Sequence, residues 1–282
     1  MKIIHTVNEL HEELSSASYK SLVPTMGNLH EGHLRLVQAA RQASHAKGGI
    51  TVATIFVNRL QFGPNEDFDR YPRTLEKDCE LLEKNGCDVV FSPDEHALYP
   101  ETQRFKVSPP EELANILEGH FRPGFFTGVC TVVMKLFSMI QPQSAFFGKK
   151  DYQQLMVIQQ MARQFNLPIS VIGLETERAQ DGLALSSRNG YLSAPQRLKA
   201  VELYRALQNV AAQCKGSDAD PIALCQNAHQ RLTQEGWEVD YISLCHPSNL
   251  SPCEKIDGSD LVVLAAAKIG KTRLIDNLEI KF

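Results

Sequence analysis

The run Ile-Thr-Val-Ala-Thr-Ile-Phe-Val at residues 50–57 constrains the fold of this chain more than any other stretch. It is rich in β-branched residues and has almost no polar interruption, so both faces of a strand built from it would be apolar. Such a strand is typical of the middle of a parallel sheet that is covered on both sides. Shorter strand-like runs occur at 21–24 and 88–91, and apolar spacing predicts helices at 31–46 and 75–85 between the three strands.

The resulting order is β-α-β-α-β. Right-handed crossovers turn this order into a doubly wound parallel α/β sheet with helices on both faces. The sequence continues with predicted helices at 111–118, 129–140 and 152–165, strands at 145–147 and 169–174, and a glycine- and aromatic-rich loop at 119–128. Past Leu174 it turns polar, and the remaining predictions are helices at 195–213 and 221–234 and strands at 239–244, 261–266 and 272–275. We therefore expect two domains, 1–175 and a smaller α+β C-terminal domain at 176–282.

The composition narrows the class of protein. The 282 residues are 43% hydrophobic and 22% charged, with a net charge of -4. Without a basic field, no nucleic-acid partner is expected. No stretch has the character of a signal peptide or a membrane span, so we expect a soluble cytoplasmic protein with no membrane partner. The seven cysteines form no C-x-x-C pair, which favours reduced, partly buried thiols over a zinc site or a disulfide framework.

The strongest candidate site is the turn at residues 24–33, Pro-Thr-Met-Gly-Asn-Leu-His-Glu-Gly-His, between the first of these strands and its helix. A helix N-terminus presents main-chain N–H groups that bind anions, phosphate above all. His30 and His33 can donate hydrogen bonds to phosphate oxygens, and Gly32 leaves room for a flat base. From the residues alone, an alternative stays open: the segment could be a helix-capping turn with two solvated histidines and no ligand. Metal ligation is disfavoured, because the spacing is one residue shorter than in H-E-x-x-H.

Other polar residues follow predicted strands or lie in polar loops. Gln61 comes soon after residues 50–57, and its carboxamide can bond both a hydroxyl and a carboxylate. Lys150 precedes a helix, as phosphate-binding lysines do, and Gln154 would face the same crevice one turn later. The run 186–188, Ser-Ser-Arg, supplies two hydroxyls and a guanidinium in a polar loop. Taken alone, each segment has an alternative without a ligand. Gln61 could cap the backbone of its loop, Lys150 could belong to a solvated charge cluster, and residues 186–188 could be a plain linker.

Together these segments resemble the pantoate–β-alanine ligase (pantothenate synthetase) family, through nearly the whole chain. Residues 24–33 are similar to the family's version of the H-x-G-H nucleotide motif. The other similar runs are 65–75, 122–124, 147–154, 181–189 and 273–277. The resemblance implies a Rossmann-like domain at 1–175 that binds ATP and pantoate, and a C-terminal lid domain at 176–282. It also implies a homodimer that uses ATP and Mg²⁺.

The implied reaction has two steps. Pantoate attacks the α-phosphate of ATP to give pantoyl adenylate and pyrophosphate, and β-alanine then displaces AMP to give pantothenate. By this resemblance the catalytic residues are His33, which assists pyrophosphate departure, His30, and Lys150, which meets the α-phosphate. Gln61 and Gln154 hold pantoate, and Gln61 is a candidate for contacting β-alanine. No residue is assigned as a metal ligand. The implied ATP-binding residues are Met26, Gly27, Asn28, Leu29, His30, Glu31, Gly32, His33, Gly148, Lys149, Lys150, Asp151, Glu177, Leu185, Ser186, Ser187 and Arg188.

The sequence departs from the family pattern at several positions. Phe125 stands where the family usually has histidine and Lys149 where it has glutamate, and both lie near the expected site. These departures leave a second hypothesis open, a nucleotide-binding paralogue without ligase activity. A third is a nucleotidyltransferase that makes a dinucleotide-type product, but the two glutamines suit a small hydroxy acid better than a phosphate. The remaining departures are Arg59 and Glu175 in place of prolines and His246 in place of aspartate.

Overall fold

A computed structural model describes residues 1–64, 66–216 and 219–282 of the chain. Asn65, which begins one of the segments similar to the family, lies outside the described residues. The chain divides into two compact units. The first comprises Met1–Lys149 and Gln154–Glu175, and the second comprises Lys150–Gln153 and Thr176–Phe282.

The first unit is built on a parallel six-stranded sheet. In chain order its strands are β1 (Lys2–Ile4), β2 (Lys20–Thr25), β3 (Ile50–Ile55), β4 (Val89–Phe91), β5 (Ser144–Gly148) and β6 (Ser170–Leu174). In the sheet they lie in the order β1-β4-β3-β2-β5-β6, so the direction of winding reverses between β2 and β5. The predicted doubly wound sheet is confirmed. Strand β1 was not predicted, because three residues are too few to show a period. Its position is fixed by pairing with β4.

Strand β3 is buried on both faces, as its sequence predicted. Val52 and Ala53 are fully buried, and so is the polar Thr51. The Thr51 hydroxyl lies 2.8 Å from the hydroxyl of Ser44, so a hydrogen bond satisfies this buried polar atom. A sheet strand with no solvent-facing side requires helices above and below it.

The helices in the first part of the chain are α1 (Val7–Leu14), α2 (Glu31–His45), α3 (Leu75–Lys84), α4 (Glu95–Leu98), α5 (Glu111–Ala114), α6 (Glu118–Phe121), α7 (Phe125–Ile140) and α8 (Tyr152–Gln164). The loop predicted at 119–128 is wrong, because α6 and the start of α7 occupy most of it. The helix predicted at 111–118 is only the short helix α5. Residues 115–117 separate it from α6, and Leu117 there has a φ of 47°. Among the described residues, no helix has both the length and the apolarity that crossing a bilayer requires.

The second unit contains an antiparallel three-stranded sheet in the order β7-β8-β9. The predicted smaller α+β part is confirmed. Its elements are α9 (Ala194–Lys199), α10 (Val201–Cys214), α11 (Pro221–Gln234), β7 (Glu238–Cys245), β8 (Leu261–Ile269) and β9 (Thr272–Ile280). Leu207, Trp237 and Val263 are among its buried core residues. Strand β9 runs five residues past its predicted end at Ile275. The prediction ended too early because Asp276 and Asn277 are polar, and both are nevertheless buried in the strand.

Candidate active site

The turn after β2 is the centre of the candidate site. Its backbone is left-handed at Gly27 (φ 82°) and Asn28 (φ 52°) before α2 begins at Glu31. The Thr25 hydroxyl accepts a hydrogen bond from the Gly27 N–H at 3.2 Å and donates to the Thr54 carbonyl at 2.7 Å. Strand β2 is one of the two strands at which the sheet reverses its winding. Ligands of doubly wound sheets bind beyond the carboxyl ends of such strands.

His30 and His33 lie together at the start of α2. His30 is the N-cap: its Nδ1 accepts from the Gly32 N–H at 3.2 Å, and its own N–H donates to His33 Nδ1 at 3.3 Å. The ring centroids are 4.1 Å apart. Because both Nδ1 atoms accept, each neutral ring carries its proton on Nε2, where it is a hydrogen-bond donor. Two oriented donors at a helix N-terminus suit an anion such as phosphate.

Asp78 of α3 supports this turn, although it was not among the residues predicted to form the site. The residue is 1% exposed. Its carboxylate accepts the main-chain N–H groups of Asn28 and Leu29, both at 2.8 Å, and the Thr74 hydroxyl at 3.0 Å. Thr74 is the N-cap of α3, but its hydroxyl donates to the Asp78 side chain and makes no capping bond to a main-chain N–H group of the helix. The available signal was an acidic residue on the apolar face of α3, one turn before the buried Leu82.

Gln61 lies in a 3₁₀ turn, Arg59–Gln61, shortly after β3. Its Nε2 is 3.1 Å from the sulfur of Met26, and its Oε1 accepts from Asn58 Nδ2 at 3.2 Å. The structure thus brings Gln61 to the turn after β2. Asn58 is 1% exposed and accepts from the Tyr99 hydroxyl at 3.0 Å. Burial raises the pKa of Tyr99, so this hydroxyl stays protonated and donates.

Gly148 ends β5, and Lys149 follows it in the same unit. The Lys149 ammonium pairs with the Glu175 carboxylate at 2.5 Å. Both positions depart from the family pattern, so the two departures form one ion pair in this chain. Gln154 lies in the first turn of α8, where it is half-buried.

Lys150–Gln153 belong to the second unit. Lys150 and Asp151 lie in a 3₁₀ turn, Lys149–Asp151, that leads into α8. The Lys150 carbonyl accepts from the Asn277 side chain at 2.9 Å, and the Tyr152 hydroxyl donates to Glu279 at 3.0 Å. Two side chains of β9 therefore fix this turn.

The remaining predicted nucleotide contacts also lie in the second unit. The Leu185 N–H donates to the Glu177 carbonyl at 2.9 Å. The Ser186 hydroxyl accepts from the Arg188 N–H at 3.2 Å and starts a 3₁₀ turn, Ser187–Tyr191. This polar segment therefore contains a short 3₁₀ turn that is capped by Ser186.

The described residues offer no obvious metal cluster or activated thiol. Within residues 1–64, 66–216 and 219–282, no three His, Cys, Asp or Glu side chains are grouped as metal ligands would be. All seven cysteines are free and six are buried, as predicted. Burial raises the pKa of the Cys87, Cys130 and Cys245 thiols to about 12, so these are poor nucleophiles. What the site offers is oriented hydrogen-bond donors.

Known proteins share this architecture. The pantoate-beta-alanine ligase family matches residues 2–279. A crystal structure from Thermus thermophilus, named pantoate-beta-alanine (pantothenate synthetase), is 42% identical, with a TM-score of 0.93 and 100% of both chains covered. A pantoate-beta-alanine ligase from Francisella tularensis, complexed with beta-gamma ATP and beta-alanine, is 33% identical; its TM-score is 0.82, with 99% of this chain and 97% of that chain covered. From its sequence and its fold, the chain belongs to the pantoate–β-alanine ligase family.

Proposed function

We propose that this ligase makes pantothenate in two steps, through a pantoyl adenylate. The observation that carries the proposal is the turn after β2. There two imidazoles are fixed with their protons on Nε2 at a helix N-terminus, and Asp78 pins the backbone beneath them. The Francisella relative bound to beta-gamma ATP and beta-alanine supports the choice of substrates.

In the first step, a carboxylate oxygen of pantoate bonds to the α-phosphorus of ATP, and the bond from that phosphorus to pyrophosphate breaks. No protein nucleophile is needed. The step needs alignment, and donors where negative charge develops. We assign His33, assisted by His30, to the departing pyrophosphate and Lys150 to the α-phosphate. We assign the wider nucleotide contacts to the ranges 26–33, 148–151 and 185–188 and to Glu177.

In the second step, the β-alanine amine attacks the acyl carbon. The C–N bond forms, the C–O bond to AMP breaks, and the amine proton passes to solvent. We assign Gln61 and Gln154 to pantoate, with Gln61 also contacting β-alanine. The Gln61 amide is held by Asn58 and Met26, so little side-chain freedom is lost when it binds a substrate.

We also propose Mg²⁺ as a companion of ATP. This ion keeps several waters and takes phosphate oxygens with one or two carboxylates, so it needs no dedicated protein cage. We further propose that the enzyme is a cytoplasmic homodimer. Residues 1–175 then act as the ATP- and pantoate-binding domain and 176–282 as the lid domain.

The test is an AMP-release assay with pantoate, β-alanine, ATP and Mg²⁺. We expect AMP and pantothenate in equal amounts. If the folded protein releases no AMP, the proposal is wrong. Calorimetric ATP binding without pantoate-dependent release of pyrophosphate would instead favour the non-ligase paralogue.

A further inference from the structure

The guanidinium of Arg122 is held on its edge by two acceptors. Its Nε and Nη2 donate to the two carboxylate oxygens of Glu66, each at 2.6 Å. Its Nη2 also donates to the main-chain carbonyl of Gln61 at 3.2 Å. The Arg122 side chain is 14% exposed, so water screens these contacts only partly. A bidentate arginine–carboxylate pair is both strong and directional.

The face of the same guanidinium rests on an aromatic ring. The central carbon of Arg122 is 3.7 Å from the centroid of the Phe125 ring. A cation over a benzene ring is attracted by the negative face of the ring. Phenylalanine has no ionisable proton, so this attraction does not change with pH. The stack keeps the guanidinium in the plane that Gln61 and Glu66 require.

The turn that carries Gln61 depends on this support. On one side it meets α7, where the absence of a side chain at Gly128 allows close contact: a Cβ there would lie 2.1 Å from the Leu60 carbonyl oxygen. On another side it borders a cavity of about 540 Å³ that Gln61, Arg122 and Phe125 help to line. Side chains do not pack against the turn across that space, so its contact with Arg122 limits how far the turn can shift.

We infer that Arg122 is a positioning residue for Gln61, and that Phe125 holds Arg122 in place. The inference rests on the proposed role of Gln61 in binding pantoate. Arg122 itself already has a carboxylate partner in Glu66, so its role is to hold the carbonyl of Gln61 and not to bind substrate. Loosening the stack should weaken pantoate binding and spare ATP binding.

The experiment compares steady-state kinetics of Phe125→Leu, Phe125→His and the unmodified enzyme from about pH 5.5 to 8.5. Phe125→Leu should raise the KM for pantoate about three- to ten-fold, the usual strength of a partly buried cation–π contact, with kcat and the KM for ATP within about twofold. Phe125→His should stack while its ring is neutral and repel Arg122 once protonated. Its pantoate KM should therefore approach that of the unmodified enzyme above about pH 7.5 and rise below about pH 6.5.

Tyr19→Leu is the matched control, because it removes a cation–π contact with Lys47, 4.2 Å from the ring centroid, away from Gln61. We expect its pantoate KM to be unchanged. If the leucine variant fails to fold, the pH profile of the histidine variant decides alone, since a merely structural change would shift KM equally at every pH. A histidine profile parallel to that of the unmodified enzyme overturns the inference and leaves the ligase activity standing. An unmodified enzyme without pantoate-dependent AMP release overturns both.

Discussion

His33 is oriented by the backbone of its own helix start, through the bond from the His30 N–H to its Nδ1. Its ring proton is therefore on Nε2, which is the hydrogen-bond donor of the ring. We expect His33→Ala to lower kcat by roughly 10²-fold or more, as for other lost transition-state donors, with the fold intact. His45→Ala, in the last turn of the same helix, is the control and should stay within about twofold. Single-turnover release of pyrophosphate measures both, and an unchanged rate in His33→Ala removes His33 from the mechanism.

Asp78 gives the same turn its stability. Asparagine at this position keeps one acceptor oxygen but turns an NH₂ group toward one of the two main-chain N–H donors. We expect Asp78→Asn to lower the free energy of unfolding by about 1–3 kcal/mol, since a buried donor is left unpaired, and to raise the KM for ATP. Urea unfolding measures the first effect. The exposed Glu76→Gln, in the first turn of α3, should cost less than about 0.5 kcal/mol. Equal losses in the two variants would mean that Asp78 does not support the turn.

The buried thiols predict a pH dependence. Burial raises the pKa of Cys214 and Cys225 to about 11, and that of the three most shifted thiols to about 12. A thiol with a raised pKa in the folded state stabilises the fold below about pH 9, and this contribution is lost as the pH rises toward 12. At pH 8, native thiols should react with a disulfide reagent on the order of 10²-fold more slowly than in denaturant. If one of these five cysteines reacted in the native protein as fast as in denaturant, its thiol would not be buried as described.

At the scale of elements, helices with a regular apolar spacing were predicted correctly. Helices that contain glycines at close main-chain contacts were not. The observed bounds of α11, Pro221–Gln234, equal the prediction, because its apolar residues recur at helical spacing. The error at 119–128 came from glycines that were interpreted as loop residues. Gly119 and Gly128 instead lie in helices where backbone meets backbone; a Cβ on Gly119 would be 1.6 Å from the Ala114 carbonyl oxygen. The need for glycine at these positions comes from a main-chain segment that lies close in space. The spacing of apolar residues around each glycine therefore cannot predict it.

The contact between α7 and the Gln61 turn can be tested by a single methyl group. Gly128→Ala places a Cβ 2.1 Å from the Leu60 carbonyl oxygen, so the helix and the turn must separate. We expect a loss of about 1–3 kcal/mol in the free energy of unfolding, the usual cost of overpacking, together with a higher KM for pantoate. Gly190→Ala is the control, because a Cβ there has no atom within 4 Å. Wild-type stability in Gly128→Ala would show that this approach is not as close as described.

At the scale of the whole molecule, the sequence predicted the doubly wound parallel sheet, the smaller α+β part and the candidate site at residues 24–33. Those residues are local in sequence and carry their chemistry in their order. Asp78 was missed because its partner Asn28 is 50 residues away. The grouping of Lys150–Gln153 with the second unit depends likewise on distant side chains of β9, 127 residues further along the chain.

The central claim is that pantoate is adenylated before β-alanine takes part. Exchange of labelled pyrophosphate into ATP tests it most directly, because only a reversible first step returns label to ATP. We predict exchange that requires pantoate and Mg²⁺ and proceeds without β-alanine. Exchange that needs β-alanine, or that proceeds without pantoate, would contradict the proposed order of steps.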